Sequence, residues 1–510
     1  MASLQAFVIY LFLKKFTFIH DTLKYIFLCV SFCVFAMDLF AVYHYDLTFN
    51  NIMFEIIMMT NLREGGEFLQ TYLADGKFWM FIAGILCALA VLRGIYGLFM
   101  KMQRVAVILF LVVFAASAVT TLRDAIIHFE SFPDFIINTN ALSRIYQMYM
   151  KNYRAEKDYQ KILAGACLEV PITKNNSSIP YVVFILGEST DRNRISLYGY
   201  SLLTSPKLSQ REGLYVFSDV VSPHSHTNAV LQKLFTFCRY GSKSKWYMYT
   251  SLFSILKSAG YFTVWMSNQE GPAAGNCVRL YAGQCGQSIF TENLRDTWDN
   301  AFCYDEQLLP KLEEVISSEH HAKNFYVLHL IGTHGNYRKR FPPELAKFTA
   351  KDEGGFSGLT ESQKEERAHY DNAVLYNDFV VDEIIRRFED KNAILIYVSD
   401  HGEDVYDSST ILLGHNEGTP SRFMIEIPMI IWVSDIFSKT YPELEARIAQ
   451  SVNRPYMTDD MIHTILDIMS IETQDFDPAK SIINPSFDIT RPRIYSNHVY
   501  TKEDGLAPLP

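Results

Sequence analysis

Ala393-Ile394-Leu395-Ile396-Tyr397-Val398-Ser399-Asp400-His401-Gly402-Glu403-Asp404 is the stretch that decides the fold. Its first six residues form an apolar run that reads as a buried strand. An Asp-His pair follows at the carboxyl end, where open α/β sheets place their active sites. Carboxylate and imidazole are hard-to-borderline metal ligands, and Gly402 lets the backbone turn sharply away behind them.

Similar apolar runs occur at 181–186, 262–266, 325–330 and 429–433. Helical patterns lie between them at 229–235, 252–258 and 370–388. In the last, Val374, Leu375, Phe379, Val380, Ile384 and Ile385 recur at 3.6-type spacing. Strands alternating with helices predict an α/β domain with a mixed, mostly parallel sheet covered on both faces. The domain is expected over 179–510, with a surface loop around Gly354-Gly355 and no internal repeats.

The 510-residue chain is 49% hydrophobic and 14% aromatic, and the excess is concentrated before residue 125. Segments 26–40, 78–100 and 105–119 are apolar with few interruptions. With modest extension each reaches the about 20 residues that a bilayer-spanning helix needs. A shorter patch at 7–13 reads as an interfacial helix or the remnant of a first span. The expectation is an N-terminal α-helical transmembrane domain over 1–125 with three to four spans, then an amphipathic connector over 126–178. Several apolar segments in succession argue against a cleaved secretory signal. Lys14, Lys15 and Lys24, and then Lys101 and Arg104, mark cytoplasmic positions, so 44–76 and everything after about 123 lie outside. The net charge of −10 speaks against nucleic-acid binding. Of the 8 cysteines, Cys29, Cys33 and Cys87 fall in the spans; Cys167, Cys238, Cys277, Cys285 and Cys303 fall where disulfides are permitted. Cys277 and Cys285, flanking a short Gly-containing loop, are the best candidate pair, and at least one of the five thiols is left over.

Gly187-Glu188-Ser189-Thr190 follows the run at 181–186, so the Glu188 carboxylate also stands at a strand end. Taken alone, Glu188 reads equally well as an N-cap or first-turn acid. Glu188, Asp400 and His401 in one shell make a divalent site, and the imidazole favours zinc over magnesium or calcium. His334, in Ile331-Gly332-Thr333-His334-Gly335, and His415, in Gly414-His415-Asn416-Glu417-Gly418-Thr419-Pro420, occupy comparable places. A lone histidine after a strand is more often structural. Three of them with two acids suit a phosphate or sulfate, whose charge is redistributed in the transition state. The nucleophile stays open among Ser189, Thr190 and Thr227, the last in Ser222-Pro223-His224-Ser225-His226-Thr227-Asn228 just before a helical pattern. A hydroxyl at a helix N-terminus sits in a field that suits an alkoxide, although a plain N-cap is the commoner fate of such a threonine.

With these residues the chain resembles the membrane-bound phosphoethanolamine transferases of the alkaline phosphatase and sulfatase superfamily. The likeness rests on an ordered set. It begins with Glu188-Ser189, Arg194-Ile195-Ser196-Leu197-Tyr198-Gly199-Tyr200 with Thr204-Ser205-Pro206, and Ser222-Pro223 through Thr227. It continues with Trp265-Met266-Ser267-Asn268-Gln269, Thr333-His334-Gly335, Ser399-Asp400-His401-Gly402-Glu403, and His415 before Pro420-Ser421-Arg422-Phe423. The Asp-His-Gly-Glu run recurs across the superfamily; the ordered set behind several spans is specific. The resemblance implies that Thr227 is the nucleophile, that Glu188, Thr227, Asp400 and His401 hold Zn2+, and that His334 and His415 hold phosphate or protonate a leaving group. It implies donor-headgroup contacts by Thr60 and Glu64, with the departure that Ile56 stands where relatives usually carry Asn. Many relatives also carry five spans, more than the number counted here.

The implied donor is phosphatidylethanolamine, and the implied acceptor is lipid A, lipopolysaccharide core or another envelope glycan. The implied place is the bacterial inner membrane, with the catalytic domain in the periplasm among membrane lipids. The implied reaction runs in two steps through a phosphoethanolamine-threonine intermediate. A phosphoglycerol transferase would use similar zinc–threonine chemistry on another lipid. A sulfatase wants a Cys/Ser-x-Pro-x-Arg run, and none follows Glu188. A non-catalytic lipid-sensing membrane protein is expected to have lost a ligand or the nucleophile, and all of these are present.

Overall fold

The computed structural model describes residues 170–508 with breaks at 271–276, 293–303, 319–320, 354–357, 409–412 and 418–419, and the helical residues Met37, Trp79, Ala83, Gly84, Cys87, Tyr149, Met150 and Tyr153. The chain divides into two compact units, Met1–Ala155 and Glu156–Pro510. Apart from those isolated helical positions, the expected spans and the connector up to residue 169 lie outside the described residues, as does the Gly354-Gly355 loop. Among the described residues no helix is long and apolar enough to cross a membrane.

The second unit is organised around seven strands. They are β1 (Tyr181–Gly187), β2 (Leu214–Phe217), β3 (Phe262–Glu270), β4 (Gln287–Glu292), β5 (Asn324–His329), β6 (Ala393–Ser399) and β7 (Met429–Val433). Across the sheet the order is β2-β7-β6-β1-β5-β3-β4. β6, β1, β5, β3 and β4 run parallel, and β7 is antiparallel to both its neighbours. The sheet is therefore mixed and mostly parallel, as the alternation of strands and helices predicts. The five expected strands are the interior ones, β7, β6, β1, β5 and β3; of the two edges, β2 is only four residues long and β4 carries polar residues.

Side-chain alternation along β1 explains the layers. Val182, Phe184 and Leu186 enter one apolar cluster with Phe235, Phe253 and Trp265, while Val183 and Ile185 enter another with Leu328, Val380 and Ile384. Leaving either set wet would forfeit about 1.5–3 kcal/mol per side chain. The first face is covered by α1 (Thr227–Leu234), α2 (Leu252–Ser258) and α3 (Cys277–Gln284); the second by α4 (Leu308–Ser318) and α5 (Glu361–Arg386). α5 starts well before the apolar pattern at 370, behind a capping box in which Thr360 and Gln363 satisfy each other's backbone.

Two sequence features find structural explanations. Buried Arg194 lies 3.2 Å from Asp371 Oδ1 and 3.1 Å from Asp407 Oδ2, which ties the segment after β1 to α5. The Thr204 and Ser205 hydroxyls accept the N–H groups of Ser196 and Leu197 at 2.9 and 2.8 Å. The expected Cys277–Cys285 bridge is a correction: the supposed loop is helix α3, and both thiols are free, as is Cys238. Eight helical steps separate the two Cα atoms by about 12 Å, beyond the about 7 Å reach of a disulfide. Cys167 and Cys303 lie outside the described residues.

Candidate active site

Because β1 and β6 are adjacent with Gly187 opposite Ser399, the residues that follow them, Glu188 and Asp400, emerge together. The two loops are stitched to each other. The Asp400 N–H donates to Gly187 O at 3.1 Å, and the Ser189 N–H donates to Asp400 Oδ1 at 3.0 Å. Ser189 adopts φ +56, a left-handed conformation that a serine takes at some cost, and its hydroxyl donates to Glu188 Oε1 at 2.8 Å.

Thr227 arrives from the first turn of α1. Its Oγ1 lies 3.1 Å from Glu188 Oε2 and 3.3 Å from Oε1. The N-cap is His226, in extended conformation, so Thr227 is not the cap and its hydroxyl is turned to the acid. His401 Nε2 lies 3.4 Å from both Glu188 Oε1 and Asp400 Oδ2. The structure thus brings Glu188, Thr227, Asp400 and His401 to one point.

The electrostatics there are those of a group short of positive charge. Glu188, Asp400 and His401 are buried, and Asp400 Oδ2 and His401 Nε2 have no hydrogen-bond partner. Burial, and then the negative charge of Glu188, push the Asp400 carboxyl up to about 7. Burial works against protonating His401, but Asp400 and Glu188 outweigh it and raise the ring to about 10. Burial also opposes ionisation of Glu188, yet His401, His334 and His329 hold its carboxyl below the ordinary range. The His401 proton offsets the charge of the acids. His401 Nδ1–H donates to Gly402 O at 2.8 Å, which directs Nε2 at the carboxylates. Two carboxylates, one imidazole nitrogen and a hydroxyl around two unpartnered buried atoms fit a zinc-class ion.

His415 packs close by, its ring tilted 51° to that of His401 with the centroids 4.2 Å apart. Its Nδ1–H donates to Glu403 Oε2 at 2.6 Å, and Glu403 Oε1 accepts the Tyr337 hydroxyl at 2.6 Å. His334 is half-buried; burial lowers its pKa despite the charge of Glu188, and its Nδ1 has no partner. The turn carrying it is packed on the Glu188 backbone. Gly332 has φ +49, and a Cβ there would meet Glu188 O at 2.8 Å. Thr333 Oγ1 donates to Glu188 O at 3.0 Å, and Asp305 accepts the N–H groups of Ile331 and Gly332 at 2.8 and 2.9 Å. Thr60 and Glu64 lie outside the described residues.

Sequence reasoning gave no role to Gln269, Glu403 or Glu417. Gln269 Nε2 donates to Glu188 Oε2 at 3.3 Å and to Leu330 O at 3.0 Å, from near the end of β3. A polar side chain at the end of a core strand was the available signal. Ser189 and Thr190 are both buried, whereas Thr227 is partly exposed.

A sulfatase family model matches residues 180–471, which include the whole sheet and all of these residues from Glu188 to Glu417. The chain belongs to the sulfatase family. Among its sulfatase-family relatives, phosphoethanolamine transferase EptC of Escherichia coli is 35% identical over 317 residues, 61% of this chain and 54% of that protein. The chain thus spans about half the length of the curated relatives it matches. The crystal structure of the C-terminal periplasmic domain of EcEptC from Escherichia coli in complex with Zn is 31% identical, with a TM-score of 0.59, covering 67% of this chain and 96% of that one. The integral membrane protein lipooligosaccharide phosphoethanolamine transferase A of Neisseria meningitidis, at 22% identity, shares the fold with a TM-score of 0.62 over 91% of this chain and 87% of its own.

Proposed function

We propose that this protein transfers phosphoethanolamine from phosphatidylethanolamine to a cell-envelope glycan acceptor through a covalent adduct on Thr227. The observation that carries the reading is the hydroxyl itself. It is the accessible one of the three candidates, 3.1 Å from Glu188 Oε2 and beside the unpartnered atoms of Asp400 and His401. Glu188, Thr227, Asp400 and His401 would hold Zn2+. Bound there, the ion would lower the pKa of the hydroxyl and offset charge on the phosphoryl oxygens.

In the first step Thr227 Oγ1 releases its proton to solvent and attacks phosphorus, and the bond to the diacylglycerol oxygen breaks. His334 or His415 protonates that oxygen as it leaves. In the second step an acceptor hydroxyl passes its proton to that histidine as its oxygen attacks the same phosphorus, and Thr227 departs, regaining a proton from solvent. The amides at the start of α1 stabilise the anionic adduct. Glu403 holds His415 in register through its 2.6 Å bond to Nδ1. The zinc-bound EptC domain and the lysines and arginines around the apolar segments support a multi-pass inner-membrane protein with its catalytic unit in the periplasm. Anchoring would raise the effective concentration of a lipid donor.

The test is to incubate the full chain with phosphatidylethanolamine carrying an isotope-labelled headgroup and examine the Thr227 peptide by mass spectrometry. A labelled phosphoethanolamine increment is expected on Thr227, and Thr227→Ala loses the increment and the transfer while keeping its fold. Full transfer by that variant sinks the nucleophile assignment. An increment from labelled phosphatidylglycerol instead reassigns the donor.

A further inference from the structure

The residues proposed for the reaction leave a second group of metal-competent side chains unused. His224, His226 and Glu417 bring one donor atom each to a common point, all within 4.8 Å of one another. His224 Nδ1 touches Glu417 Oε1, and His226 Nε2 lies 3.5 Å from the same oxygen. His224 Nε2 is buried with no hydrogen-bond partner. The three backbones are held independently of this contact. Ser222 Oγ donates to His224 O at 2.6 Å, the Val230 N–H to His226 O at 3.2 Å, and Ser496 Oγ to Glu417 O at 2.8 Å. The Tyr240 ring packs on His224 with centroids 5.2 Å apart. Lys233, the cation of this helix, donates from Nζ to Ala229 O at 3.2 Å, and its charge reaches both Glu417 and His224.

We infer that His224, His226 and Glu417 form a second site for a zinc-class divalent cation, distinct from the group at Glu188, Asp400 and His401. Two imidazoles and one carboxylate make the donor set of zinc sites that keep a coordination position open. Two nitrogen donors disfavour magnesium and calcium, which take oxygen shells. His226 immediately precedes Thr227, so a cation here adds positive charge at the approach to that hydroxyl. The ligand class that fits the open position is an anionic phosphate-ester oxygen, with water in its absence. The competing account is a metal-free His224–Glu417 pair that braces the loop before α1.

The test uses the full chain, stripped by chelator and titrated with Zn2+ and separately with Co2+, reading metal per chain by mass spectrometry and the Co2+ visible spectrum. Wild type should retain two equivalents. The double variant His224→Gln with Glu417→Gln should lose one, and Glu188→Gln with Asp400→Asn should lose the other. The Co2+ spectrum of the second double variant should be that of a low-coordinate nitrogen-rich site. Should the first double variant fail to fold, His226→Gln alone, which leaves the His224–Glu417 contact intact, must lose the same equivalent. A single equivalent in wild type overturns the inference, as does a second equivalent that survives loss of these side chains. This outcome is independent of whether Thr227 carries an adduct.

Discussion

Gly402→Ala is expected to disable the site without touching a proposed ligand. A Cβ at this position would overlap the Phe423 carbonyl oxygen and come 3.2 Å from Phe423 C and 3.3 Å from Met424 C. All three are backbone atoms, so no rotamer change relieves the clash. The Gly402 N–H also donates to Met424 O at 2.8 Å, holding the loop against that segment. Overpacking of this kind costs roughly 1–3 kcal/mol, and a strained hydrogen bond adds about 1 kcal/mol. With a melting shift of about 2 °C per kcal/mol in a unit of this size, the metal-free protein should melt roughly 5 °C lower. The loop that must yield carries Asp400 and His401, and a misplacement of about 1 Å costs on the order of 100-fold in turnover. Gly335→Ala is the matched control, since a Cβ there meets nothing within 4 Å. The assays are thermal melting in chelator, zinc retention on dialysis, and headgroup transfer. If Gly402→Ala and Gly335→Ala behave alike in all three, the close backbone approach does not hold Asp400 and His401 in place.

Other expectations follow from single contacts. Glu403→Gln removes the charge from the bond to His415 Nδ1, worth about 1.5–3 kcal/mol for a charged partner, and should slow transfer roughly 10- to 100-fold at unchanged zinc content; unaltered steady-state kinetics would falsify the positioning role. His463 is buried and accepts the Asp477 N–H at 3.1 Å on Nδ1, and burial, then Lys480, lower its pKa to about 3. The unfolded chain therefore binds its proton first, so this contribution is full above about pH 6.5 and is lost as pH falls from there towards 3. Between pH 7.5 and 5.5 the loss is about 1.4 kcal/mol, and urea unfolding of His463→Gln should show that much less acid sensitivity than wild type. Under denaturing, non-reducing conditions Cys277 and Cys285 should both be alkylated, and recovery of a peptide linked through them would contradict the helical spacing.

The interior of the sheet was legible because β1, β5, β6 and β7 are buried on both sides and so read as unbroken apolar runs. β2 and β4 are edges: β2 is an apolar run of only four residues, too short to single out, and the alternation of β4 is diluted by polar residues such as Gln287 and Ser288. Glu188 and Asp400 were found by position, since a strand end is visible in sequence. Gln269, Glu403 and Glu417 were not, because each acts by meeting a residue far away in the chain. The error at Cys277 came from taking Gly283 as a turn signal; burial of Val278, Leu280, Tyr281 and Ala282 overrides one weak helix former. The helix begins at Thr227, two residues before the pattern expected at 229, which exchanges an N-cap for a hydroxyl pointed at Glu188.

The pairing of Gly187 with Ser399 has a consequence for folding order. Ser189 and Asp400, joined by a hydrogen bond, are 211 residues apart along the chain. Neither half of the site exists until two distant strands have docked. A slip of one residue between them would turn every side chain of one strand to the opposite face and send Glu188 and Asp400 in different directions. Capture of the proposed ion would therefore be a late event that only a chain in correct register could perform. Retention of that ion would report whether a molecule has finished folding, and the bound ion would in turn penalise every misaligned alternative.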